Sequence, residues 1–130
     1  MADMPGPDLN GRRVLVVEDE FMVAIAIRRE LESLGATVIG FCPDIQSSMT
    51  CITDAPDIDV AIVDLNLGGV LSTPVVDILL ARGVPTILCT GYEGWSMEER
   101  LKSLPRCEKP FTRGAMSRQL RALPSLGPQP

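Results

Sequence analysis

The feature that most limits what this chain can fold into is a set of short Val/Ile/Leu runs, each stopped at one end by a polar group. Val14-Leu15-Val16-Val17 stops at Glu18-Asp19-Glu20. Val60-Ala61-Ile62-Val63 stops at Asp64, and Ile87-Leu88-Cys89 stops at Thr90. These runs are continuous rather than alternating with polar residues, which is the pattern of strands buried on both faces of a parallel sheet.

The segments between them change period. Val23, Ile27, Leu31 and Leu34 fall on one helical stripe, with Arg28, Arg29, Glu30 and Glu32 mostly opposite, and Gly35 supplies a helix-ending position. Thr37–Phe41 reads as a strand. Pro43-Asp44 then caps a helix carrying Ile45, Met49 and Ile52. Thr73-Pro74 caps and opens a helix with Val75, Val76, Leu79 and Leu80 that closes at Gly83, and Pro85–Thr90 is a further strand. Residues 95–103 make a short, weak helix. Cys107–Lys109 is a strand by register rather than by propensity, and residues 113–123 form a last helix with Met116, Leu120 and Leu123 inward. Strands alternating with helices in this way predict an α/β fold: a doubly wound, five-stranded parallel sheet of order 2-1-3-4-5, flavodoxin-like. Residues 1–11 read as a flexible leader, 12–123 as one domain, and 124–130 as a flexible tail.

Composition narrows the chemistry. The 130 residues carry a net charge of −5, which disfavours nucleic acid and anionic membrane surfaces as partners. No apolar run approaches the ~20 residues of a membrane span and no signal-peptide core is present, so a cytoplasmic location is expected. The four cysteines show no C-x-x-C spacing and read as reduced thiols serving as small hydrophobes. The chain has no histidine, which removes the usual general base and most nucleophilic triads. Any chemistry must rest on carboxylates, hydroxyls and lysine.

All carboxyl ends of a parallel sheet lie along one edge, so residues far apart in sequence converge there. Glu18 and Asp19 follow the first strand, Asp64 ends the third, Thr90 ends the fourth and Lys109 follows the fifth. A single acid at a strand end is ordinarily a turn residue or a cap for the next helix. Three carboxylates together repel unless a cation sits between them, and oxygen ligands with room for water and phosphate suit Mg²⁺. A lysine and a hydroxyl beside them face an anionic group. The spacing therefore predicts a Mg²⁺-dependent phosphoryl site with a carboxylate nucleophile.

Four blocks carry a family resemblance. Val16–Glu20 (VVEDE), Ile62–Leu67 (IVDLNL), Cys89–Tyr92 (CTGY) and Glu108–Phe111 (EKPF) resemble, in order and spacing, the signature blocks of response-regulator receiver domains of the CheY-like kind. The resemblance spans residues ~13–123. It implies that Asp64 accepts a phosphoryl group from a histidine kinase or histidine phosphotransfer protein. It further implies that Glu18 and Asp19 serve Mg²⁺ with Asp64 and the backbone carbonyl of Asn66. Thr90 becomes the hydroxyl that moves toward the phosphate, Lys109 its counter-charge, and Lys109–Pro110 a cis peptide.

The chain departs from the common receiver pattern at Arg106, where an aromatic switch residue usually stands three positions before the lysine. Thr90-Gly91-Tyr92, Gly94 and the weak fourth helix are similar instead to the single-domain FAT GUY subset. Output then passes to a downstream protein partner through a loop over residues 92–104, with Tyr92, Trp95 and Arg106 as its candidate surface. Tyr92 and Trp95 are equally read as partner anchors or as aromatics covering a shortened helix. Two alternatives remain beside the signalling switch. One is an aspartate-nucleophile phosphohydrolase, which would want a second acid where Asn66 stands; the other is a binding-only, degenerate receiver.

Overall fold

A computed structural model describes residues 9–55, 57–91, 99–109, 114–121 and 123. The elements are β1 (Arg13–Val17), α1 (Phe21–Ser33), β2 (Thr37–Cys42), α2 (Ile45–Asp54), β3 (Val60–Asp64), β4 (Asn66–Leu67), β5 (Val70–Leu71), α3 (Thr73–Ala81), β6 (Thr86–Thr90), a 3₁₀ turn (Glu99–Leu101), β7 (Arg106–Glu108) and α4 (Ala115–Arg121). Five strands form one parallel sheet in the order β2-β1-β3-β6-β7. Once the separate ribbon β4–β5 is set aside, this is the expected 2-1-3-4-5 order.

The continuous apolar runs are buried on both faces because alternate side chains of one strand enter opposite layers. Leu15, Val17, Ala61, Val63 and Leu88 pack with Ile52 of α2 and with Val75, Val76 and Leu79 of α3. Val14, Val16, Val60, Ile62, Ile87 and Cys89 pack with Ile27 and Leu31 of α1 and with Met116 and Leu120 of α4. Each fully buried Val, Leu or Ile contributes about 1.5–3 kcal/mol relative to exposure. A one-residue slip of register would exchange the side chains of the two layers and mismatch both at once.

Several local signals act as expected. Asp44 caps α2, its carboxylate accepting the Ser47 N–H at 2.7 Å, and Gly35 takes a positive φ of 93° just past α1. Others differ. The N-cap of α3 is Ser72 rather than Thr73, with Pro74 in the first turn. Of the weak helix over 95–103, residues 99–101 form the 3₁₀ turn and 95–98 lie outside the described residues. Leu9, within the segment read as a leader, is fully buried, and its N–H donates to the Leu34 carbonyl at 3.1 Å.

Candidate functional site

The carboxyl edge of the sheet gathers the charged residues. β1 delivers Glu18, Asp19 and Glu20, which lead into the N-terminus of α1, where helix polarity favours negative charge. β3 delivers Asp64, and β7, held to β6 by Cys89↔Cys107 and Thr90↔Glu108 pairing, delivers Lys109. The Lys109 N–H donates to the Thr90 carbonyl at 2.7 Å, which fixes where its side chain starts.

Lys109 Nζ donates to Asp64 Oδ2 at 2.7 Å and to Glu18 Oε2 at 3.1 Å. It lies 3.6 Å from Glu20 Oε1. The other Asp64 oxygen, Oδ1, accepts the Asn66 N–H at 3.0 Å. Glu18 Oε2 also accepts the Glu20 N–H at 3.2 Å. Glu18 Oε1 is buried and makes no hydrogen bond among the described residues; the same Nζ lies 3.0 Å away.

Burial pushes the Glu18 carboxyl up to about 7. The Asp64 carboxylate beside it adds to that rise, and the hydrogen bond from Lys109 opposes it. For Lys109 burial acts downward, but hydrogen bonds and charge from Asp64 and Glu18 outweigh it and hold the ammonium above the usual lysine range. Lys109 is therefore a fixed positive charge at any physiological pH.

A cleft of about 300 Å³ opens beside these groups, lined by Asp19, Glu20, Asp64, Asn66, Gly68, Gly91 and Lys109. One carboxylate oxygen from each of Glu18, Asp19 and Glu20 lies within 4.8 Å of the others. Four carboxylates against one ammonium leave excess negative charge, and Glu18 Oε1 is a buried oxygen without a hydrogen-bond donor. Hard oxygens, uncompensated charge and an open polar cleft fit a small divalent cation that retains water, as Mg²⁺ does.

The ribbon β4–β5 contributes Asn66 and the turn residue Gly68 to the lining of this cleft. Asn66 pairs with Leu71 and Leu67 with Val70, so only Gly68-Gly69 turn the chain. Their φ values of 60° and 94° are those of a two-residue hairpin turn with both central residues left-handed, which glycine adopts without strain. Asn66 Oδ1 accepts the Gly69 N–H at 2.6 Å and locks the turn. Directly behind Asp64, the buried Ser72 hydroxyl donates to the Asp64 carbonyl at 2.6 Å and lies 3.2 Å from that of Leu65.

Glu18, Asp19, Asp64, Asn66 and Lys109 thus come together, with Glu20, Gly68 and Ser72 added. Thr90 is buried at the end of β6, one residue before the cleft-lining Gly91. Arg106 is exposed on the edge strand β7, where it lines a separate cleft with Glu108, Lys109, Arg118 and Gln119. Tyr92, Trp95 and the Lys109–Pro110 peptide lie outside the described residues. Glu20 had one sequence signal, being the third acid of an unbroken run. Ser72 had none, because its partner is reached only once the Gly-Gly hairpin folds the chain back.

No helix of the described residues is long and apolar enough to cross a membrane. No family model and no curated protein matches the sequence. Solved structures do. The chain is similar to SdrG from Sphingomonas melonis Fr1, with a TM-score of 0.77 and 35% identity over 86% of this chain and 95% of that one. The BeF3-activated conformation of SdrG from Pseudomonas melonis Fr1 gives a TM-score of 0.73 at 34% identity, over 85% and 93% of the two chains. The signal receiver domain of a modulated diguanylate cyclase from Desulfovibrio desulfuricans G20 gives 0.73 at 27% identity, over 87% and 93%. Identity of 35% along nearly the whole of SdrG, on a sheet of this order, shows that the chain belongs to the response-regulator receiver domains.

Proposed function

We propose that this receiver is a phosphoryl-accepting signalling switch in which Asp64 is the acceptor. The observation that carries the reading is the Lys109 ammonium 2.7 Å from Asp64 Oδ2 on a cleft that Asp19 and Glu20 also line. In this reading an Asp64 carboxylate oxygen attacks the phosphorus of a donor's phosphohistidine. The O–P bond forms as the P–N bond breaks, and the imidazole leaves. Lys109 is already charged and within reach, so it neutralises a phosphoryl oxygen with little reorganisation. Asn66 N–H and the Ser72 hydroxyl hold the carboxylate and its backbone in place during the attack. Asp19, Asp64 and the Asn66 carbonyl, with Glu18 behind them, would hold Mg²⁺, which when bound offsets the charge of both the carboxylates and the incoming phosphoryl group.

Thr90 is proposed to move toward the phosphoryl oxygen, carrying Gly91 and the segment after it, and so to pass the signal to a protein partner. The phosphodonor is proposed to be a histidine kinase or histidine phosphotransfer protein in the cytoplasm. The phosphohydrolase alternative requires a proton donor at position 66. The Asn66 amide oxygen is committed to the ribbon turn, and an amide has no acidic proton to transfer. Incubation with a small-molecule acyl phosphate and Mg²⁺ tests the reading. Acid-labile label should appear on the intact chain and vanish in Asp64→Asn, and undiminished labelling of that variant overturns the assignment.

A further inference from the structure

Cys42 ends β2 and Cys51 lies in α2, and both sulfurs enter the layer that α2 shares with the sheet. The strand is irregular here. Val14 pairs with Val38 but Leu15 pairs with Gly40, so Ile39 is an extra residue in β2. The missing side chain at Gly40 leaves a slot beneath the helix. A Cβ placed there would lie 2.7 Å from Cys51 Sγ and 3.8 Å from Cys42 Sγ. The first distance is too short for a non-bonded carbon–sulfur contact, so glycine at this position makes room for the Cys51 sulfur, while the second is an ordinary contact. Both sulfurs border this one slot. Both are free; Cys42 is buried, while Cys51 is partly exposed.

The other two cysteines are arranged differently. Cys89 and Cys107 are register neighbours across β6 and β7, and both are buried in the layer beneath Met116 and Leu120 of α4. Only the Cys42/Cys51 pair joins adjacency to access from solvent: access admits a small oxidant, and adjacency supplies a second thiol to resolve the oxidised one.

We propose that Cys42 and Cys51 are a redox-active dithiol that a peroxide closes into an intramolecular disulfide, tying the end of β2 to α2. Burial pushes the Cys42 thiol up to about 12, and the neighbouring Cys51 adds to the rise, so Cys42 stays protonated at neutral pH. The more accessible member, Cys51, meets the oxidant. Its sulfur attacks one peroxide oxygen, the O–O bond breaks with loss of water, and a sulfenic acid remains. The Cys42 sulfur then attacks the Cys51 sulfur, and its proton leaves with the displaced hydroxide as a second water. Two thiols are oxidised by two electrons, and one peroxide is reduced to two waters. The bridge does not depend on phosphoryl chemistry. It forms beside the acidic cluster, because the Cys42 carbonyl accepts the Glu18 N–H at 3.0 Å.

The test treats the full chain with hydrogen peroxide, counts thiols after denaturation, and maps peptides without reduction. The four free thiols should fall to two, with Cys42 linked to Cys51, and dithiothreitol should restore all four. Cys51→Ser should abolish the linked peptide and leave Cys42 reduced. Three results overturn the proposal: four thiols surviving a dose that oxidises a free dithiol, a Cys89–Cys107 link in place of this one, or Cys51 passing to sulfinic acid with Cys42 still free. The peptide map is read on the unaltered protein, so it stands even if the variant folds poorly.

Discussion

Glu18 sets the pH response of the metal-free protein, and Glu18→Gln isolates it. The carboxyl ordinarily titrates at 4.5, but in the fold burial moves it to about 7. Between those values the folded state keeps a proton that the unfolded chain has released, so stability falls as pH rises through the interval. A gap of about 2.5 on the pH scale is worth about 3 kcal/mol at 1.36 kcal/mol per pH unit. With Glu18 only 4% exposed, solvent screening removes little of this. The amide of Glu18→Gln cannot ionise, and Lys109 keeps its 2.7 Å bond to Asp64. The exposed Asp44 shifts the opposite way, lowered by the Ser47 N–H, but it does so in both proteins and cancels. Urea unfolding in chelator from pH 4.5 to 8 should show the wild type losing stability that the variant retains. The divergence should approach 3 kcal/mol above pH 7, equivalent to roughly 10 °C in Tm for a domain of this size. Mg²⁺ should narrow it by stabilising the ionised cluster. Parallel pH profiles, or a variant less stable than wild type above pH 7, would refute the buried, proton-retaining carboxyl.

Mg²⁺ at a hundred times its Kd should stabilise the wild type by about 2.7 kcal/mol through mass action. Asp19→Ala should lose that response in a thermal-shift titration, and an unchanged response would remove Asp19 from the metal site. Ser72→Ala should cost about 1–3 kcal/mol in a denaturant midpoint, because the Asp64 carbonyl loses a buried donor; a neutral substitution would show that the bond does not hold the backbone. Trp95 is the only tryptophan. A phosphate mimic with Mg²⁺ should alter its emission, and Thr90→Ala should weaken the change while metal binding persists. Identical spectra with binding independently shown would place the output surface elsewhere.

The layout of the sheet was legible because each central strand is apolar on both faces. Val14–Val17 and Val60–Val63 can be satisfied only between two helical layers, and that arrangement aligns Glu18, Asp19, Asp64 and Thr90 on one edge. β7 was legible only through its neighbours. Arg-Cys-Glu has little strand preference, and pairing with Leu88–Thr90 overrides it. The ribbon was missed because Asn66-Leu67 and Val70-Leu71 are too short to register as strands. Only the Gly68-Gly69 pair marks the turn, and with it comes the return path that sets Ser72 behind Asp64. Leu9 stands alone among Pro, Gly and Asp, so no periodicity foretells its burial. Arg82 reaching back to the carbonyls of Ile52 and Ala55 is likewise a long-range contact, visible only once α2 and α3 lie on one face.

The central claim is that the phosphoryl group resides on Asp64. Borohydride reduces an aspartyl phosphate to homoserine and leaves free carboxylates untouched, so trapping the phosphorylated chain and sequencing its peptides locates the acceptor. The account predicts homoserine at position 64 alone, dependent on Mg²⁺ and on the presence of the phosphodonor. Homoserine at position 19, or a labelled chain with Asp64 recovered unchanged, would contradict it.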